Sequence, residues 1–115
     1  MFGLFKRKSA AQKNDKVRAA LAGYGDDGTL PRHVIHFAYS TRKATGDVAA
    51  AEAIVKGLMA PDLIEPTQAD EGLRFEQTRE VASSEFDALT DRLETELAAI
   101  GWQYDGWECA VETGE

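Results

Sequence analysis

Tyr104-Asp105-Gly106-Trp107-Glu108, near the C-terminus, sets two aromatic rings and two carboxylates around one glycine. Its flanks make it decisive for the fold. Upstream, Phe86, Leu89, Leu93, Leu97 and Ile100 recur every three or four residues, the stripe of a helix with one apolar face. Gly101 then stops that helix. Downstream, Cys109-Ala110-Val111 is largely apolar, so the stretch from residue 102 or 103 to 111 reads as a final strand. A glycine inside a strand marks a bulge or a close backbone approach. Carboxylates on a strand belong to a solvated face or guard an edge. Asp105 and Glu108 are three apart, which places them on opposite faces unless a bulge at Gly106 intervenes.

Working back from that strand, Ser84-Glu85-Phe86-Asp87 supplies capping chemistry and an acidic first turn. Leu73-Arg74-Phe75-Glu76-Gln77-Thr78 alternates, with Leu73 and Phe75 toward a core and Arg74, Glu76 and Thr78 outward. Leu63-Ile64-Glu65-Pro66-Thr67 is a short strand whose proline cannot donate to a ladder, so it belongs at a sheet edge. Residues 68–72 form a polar turn. Thr45-Gly46-Asp47 offers an N-cap for a helix to about residue 59, with Val48, Ala51, Val55 and Leu58 on one face and Glu52–Lys56 as an i,i+4 pair. Residues 32–40 form the first strong strand. His33, Ile35, Phe37 and Tyr39 alternate there with Val34, His36 and Ala38, both sets largely apolar, as a central strand requires. The odd spacing of His33 and His36 puts them on opposite faces, so they cannot share a metal.

The order is βαββαβ, the ferredoxin-like split βαβ arrangement. The expectation is an α+β sandwich: a four-stranded antiparallel sheet, first and third strands central, two helices on one face, and a short N-terminal helix over residues 15–22. The chain divides into a basic, flexible N-terminal segment, 1–28, and the α+β domain, 29–115.

Charge follows the same division. Residues 1–18 hold six basic side chains against Asp15 alone, a balance of +5, while the remaining 7 basic and 19 acidic residues give −12. So acidic a folded part repels phosphate backbones, which argues against nucleic-acid binding by the core and for a basic protein partner. Residues 1–8 combine an apolar head with Lys6-Arg7-Lys8, too short and wrongly ordered for a signal peptide. No apolar run nears the ~20 residues that span a bilayer. Gly23, Gly25 and Gly28 have acidic neighbours and no preceding strand, which excludes a phosphate loop. The lone Cys109 rules out a disulfide framework and fits a reducing cytoplasm. No serine elbow, metal-binding helix motif or cysteine–base pair is present, so no catalytic, cofactor-binding or metal residues are assigned.

Tyr104-Asp105-Gly106-Trp107, closing a small acidic α+β domain, resembles the signature of the regulator of ribonuclease E activity B family. The resemblance covers residues 33–111. It implies a cytoplasmic protein that binds ribonuclease E and inhibits its endonucleolytic cleavage of RNA by protein–protein contact, without a cofactor and without enzymatic activity of its own. Tyr104, Asp105, Trp107 and Glu108 are then the protein-binding candidates, aromatics as anchors and acids as charge partners. A packing role is the other reading of the same residues: Tyr104 and Trp107 on the two sheet faces, Gly106 permitting a bulge, Asp105 bonding nearby backbone. The basic N-terminus departs from the family pattern, and the acidic tail common there is short here. The alternatives are an acidic immunity-type or other protein-binding module and, further off, a small hydrolase or ligand-binding domain.

Overall fold

The computed structural model describes residues 9–67 and 71–115. The apolar head and basic cluster of residues 1–8, and part of the polar turn, residues 68–70, lie outside them. One antiparallel sheet holds β1 (Arg32–Ser40), β2 (Leu63–Pro66), β3 (Gly72–Arg79) and β4 (Trp102–Cys109), in the order β2-β3-β1-β4. The helices are α1 (Ala10–Ala22), α2 (Val48–Leu58) and α3 (Ser84–Ala98). The fold is therefore α+β with β1 and β3 central. Pro66 sits on an edge strand, where its missing N–H leaves no partner unpaired.

The alternation in β1 decides which face the helices cover. Val34, His36 and Ala38 are fully buried, whereas Ile35, Phe37 and Tyr39 are half-buried. On the buried side Ala38, Leu73, Phe75, Trp102 and Tyr104 pack against Ala51 and Val55 of α2 and Leu93 and Leu97 of α3. A second cluster joins Leu21 of α1 to Val34, Val81 and Phe86. Each fully buried Leu, Val or Phe contributes about 1.5–3 kcal/mol. All three helices lie on this one face. Ile35, Phe37 and Tyr39 belong to neither cluster.

Helix ends follow local chemistry. Asp47 accepts from the Ala50 N–H at the start of α2, and Ser83 from the Phe86 N–H at the start of α3. Helix α1 begins at Ala10, five residues earlier than the sequence suggests. Ser9 and Gln12 form a capping box there, and α1 is held mainly by polar contacts that leave little apolar periodicity. Asn14 Nδ2 donates to Asp87 and Thr90 of α3, and Arg18 Nη1 donates to Asp87 and to the Val81 carbonyl.

One expectation needs correction. Glu76 points to the open face as its alternation requires, yet it is only 8% exposed. Arg74 and His33 close over it and pair with its carboxylate. Burial pulls the Glu76 carboxyl upward, but the hydrogen bonds from His33 and Arg74 outweigh this and hold it below its ordinary value.

Candidate protein-binding face

The bulge anticipated at Gly106 forms, and it reorganises the whole stretch. Ala38 pairs with Tyr104 and Phe37 pairs with Gly106, so Asp105 is an extra residue in the ladder. Gly106 has φ +100°, open to glycine at little cost. One extra residue reverses parity. Tyr104 and Trp107, three apart, both turn toward the helices; Glu108, opposite Ile35, is exposed on the other side, and the exposed Asp105 borders both that side and the helix-side cleft. The two rings thus share one face instead of dividing between two. Asp105 has no hydrogen bond to nearby backbone among the described residues.

Beneath the sheet the aromatics are fully engaged. His36 Nε2 lies 2.8 Å from Gln77 Oε1, which only accepts, so Nε2 donates. His36 Nδ1 then accepts from the Tyr104 hydroxyl at 2.7 Å. The imidazole stacks on Phe75 at 5.0 Å, and burial pushes its pKa down to about 4. Burial, with the Glu94 charge adding to it, drives the Tyr104 phenol well above its usual range. Trp107 Nε1 donates to Asn14 Oδ1 at 2.7 Å, and its ring meets Phe86 edge-on. A cleft of about 360 Å³ lies here between α1, α3 and β4. Of its polar groups, Lys13 pairs with Glu94 and Asn14 with Asp87, Thr90 and Trp107, while Gln103 and Asp105 line it without such a partner among the described residues.

The open face differs. Ile35, Phe37 and Tyr39 run down its centre on β1. Tyr39 lies over Gly72, where a Cβ would come within 2.6 Å of its ring. On the β3 side, Glu76 is ion-paired with Arg74 and in contact with the His33 ring. On the β4 side, Asp105 and Glu108 have no ion pair or hydrogen bond among the described residues. They border a shallow depression of about 300 Å³ lined by Phe37, Tyr39, Asp105, Gly106, Trp107 and Glu108.

Sequence reasoning missed the polar staple at the end of β1. Asp26 and Arg32, with fully buried side chains, pair at 2.6 Å. Asp26 also accepts from the Gly28 and Glu112 N–H groups, and Arg32 donates to the Leu30 and Ala110 carbonyls. The Arg32 hydrogen bonds hold the Asp26 carboxyl far below its ordinary range. The only sequence signal was a polar pair six residues apart in a turn-rich stretch, which surface residues imitate equally well.

His33 and His36 do fall on opposite faces, His33 exposed and His36 buried. Among the described residues no three His, Cys, Asp or Glu side chains gather closely enough to hold a metal. Cys109 is half-buried against the second cluster, and burial raises its thiol. No described helix is long and apolar enough to cross a membrane.

Over residues 11–109 the chain matches the family model described as Regulator of ribonuclease activity B. That span runs from the second residue of α1 to the last of β4. No curated protein and no solved structure matches the chain. The matched span includes α1 from its second residue, the whole sheet and the Tyr104–Trp107 stretch, and the chain belongs to the regulator of ribonuclease activity B family.

Proposed function

We propose that this protein binds ribonuclease E and restrains its endonucleolytic cleavage of RNA through protein–protein contact in the cytoplasm, with no cofactor and no bond-making of its own. Family membership supports regulation of a ribonuclease. The observation that carries the rest is a pair of exposed carboxylates without an ion pair or hydrogen bond among the described residues, Asp105 and Glu108, which both border the depression on the sheet face that no core cluster uses. An acidic surface of this kind attracts the basic stretches with which a nuclease holds RNA, and occupying them changes what else they hold.

Within this reading the four residues near the C-terminus divide the work. Asp105 and Glu108 meet the partner. Tyr104 and Trp107 fix the bulged strand from beneath, through His36 and Asn14. The helix-backed sheet, read as ferredoxin-like, is the rigid support. The test is capture of ribonuclease E from cytoplasmic extract by the immobilised full chain, with RNA cleavage assayed in parallel. Capture and slowed cleavage at low salt, both lost at raised salt, are expected, because exposed charges are screened beyond ~8 Å at physiological ionic strength. Failure to capture the enzyme at any salt removes the proposal.

A further inference from the structure

We propose that the open sheet face is a docking surface for an extended, arginine-bearing segment of a partner protein, one guanidinium seating in the depression between Phe37, Tyr39, Asp105 and Glu108. This rests on the reading that the protein grips a basic protein segment, and it narrows that reading to one face and one side-chain chemistry.

Three features specify the occupant. The first is shape. Ile35, Phe37 and Tyr39 sit at alternate positions of a central strand, about 6.4–6.8 Å apart, the repeat at which an extended peptide presents its own same-side residues. They are half-buried on a sheet face that the helices leave uncovered. At about 300 Å³ the depression suits one long side chain better than a cofactor.

The second is charge. The faces of Phe37 and Tyr39 attract a cation through the ring quadrupole, and Arg uses this mode more than Lys. Asp105 and Glu108 at the rim supply oxygens that a guanidinium takes in its planar fork, which an ammonium lacks. The same carboxylates repel phosphate, which disfavours RNA as the occupant.

The third is polarity across the face. On β3, Arg74 and His33 already engage Glu76; the open-face carboxylates without an ion pair or hydrogen bond among the described residues lie at the two edges, Glu65 on β2 and Asp105 and Glu108 on β4, and of these the β4 pair borders the depression with Phe37 and Tyr39. The guanidinium therefore seats on the β4 side of the face.

The test is a ¹⁵N-NMR titration of the full chain with an acetylated Val-Arg-Val-Arg-Val peptide, its lysine counterpart and oligouridine. Saturable shifts are expected at Phe37, Tyr39, Asp105, Gly106 and Glu108, with about tenfold weaker binding of the lysine peptide. A similar loss is expected for the Asp105→Asn/Glu108→Gln variant, whose thermal melting should match the wild type. Any of four results overturns the inference: shifts confined to the acidic surface of α3 (Asp91, Glu94, Glu96), equal binding of the lysine peptide, shifts at the same amides with oligouridine, or movement of these amides when residues 1–8 are deleted and no peptide is present.

Ribonuclease E separates this inference from the one beneath it. If the wild type and the double variant capture the enzyme equally, the face is wrong and the functional reading stands. If the variant alone loses capture, both are supported. If the wild type captures none, the functional reading falls and the peptide titration alone decides the face.

Discussion

His36 stays neutral near pH 7 because a charge there would be enclosed by Phe75, Phe86 and Tyr104. Unfolded, it takes a proton near pH 6.5; folded, only near about 4. Between those values the unfolded chain binds the proton and the folded one does not. Stability is thus complete above about pH 6.5 and falls as the pH drops through the window, by about 3 kcal/mol in all. Asp26, Glu76 and Glu80, all held below their ordinary values, add their losses only at about pH 4.5 and lower. Urea unfolding across the window should show this slope. His36→Gln should start less stable at neutral pH and lose most of the slope; an equal slope in both proteins would sink the assignment. The Asp26–Arg32 staple behaves differently. Removing the carboxylate alone strands a buried guanidinium, so Asp26→Ala should lose about 3–5 kcal/mol in the same assay. The Asp26→Ala/Arg32→Met pair should lose less than Asp26→Ala alone.

At the scale of elements, two glycines with positive φ separate two kinds of constraint. Gly101 follows α3 with φ +75°, and a Cβ there would land 2.1 Å from the Lys43 carbonyl oxygen. Gly106 has φ +100° and open space around it. Backbone strain alone is worth about 1–3 kcal/mol, so Gly106→Ala should fall within that range and Gly101→Ala beyond it, measured by thermal melting. Leu93→Ala or Leu97→Ala should each lose about 2–5 kcal/mol, since both side chains are fully buried. Those leucines were legible beforehand: the α3 stripe, the alternation of β1 and the edge proline of β2 each state their burial through period and residue type. The bulge was legible only as a possibility. Glycine permits it, but whether the extra residue forms depends on the pairing partner Phe37, 69 positions away. The docking of α1 was not legible at all. Asn14 and Arg18 look solvated in a linear reading, and their partner Asp87 lies 73 and 69 positions on.

For the molecule as a whole, α1 closes one end of the helical layer. Asn14, 3% exposed, ties it to both α3 and the Trp107 indole. Deleting residues 1–22 should uncover Leu21's partners Val34 and Phe86 together with Trp107. The shortened chain should bind an apolar-surface dye and melt earlier, and an unchanged melting temperature would show that α1 is dispensable. Charge is also arranged at this scale. The basic side chains of α1 are partly spent within the fold, Lys13 on Glu94 and Arg18 on Asp15 and Asp87. Asp105 and Glu108 have no such partner among the described residues.

The extra residue in β4 has a bearing on crowding. An outermost strand offers its outward amides and carbonyls to any passing chain, and a second copy is the commonest passer-by. Asp105 interrupts that row between residues 102–104 and 106–109, so a straight intruder runs out of step after three residues and meets a carboxylate where the rhythm breaks. The protein can leave one sheet face uncovered by its helices while denying its siblings a seam to zip along.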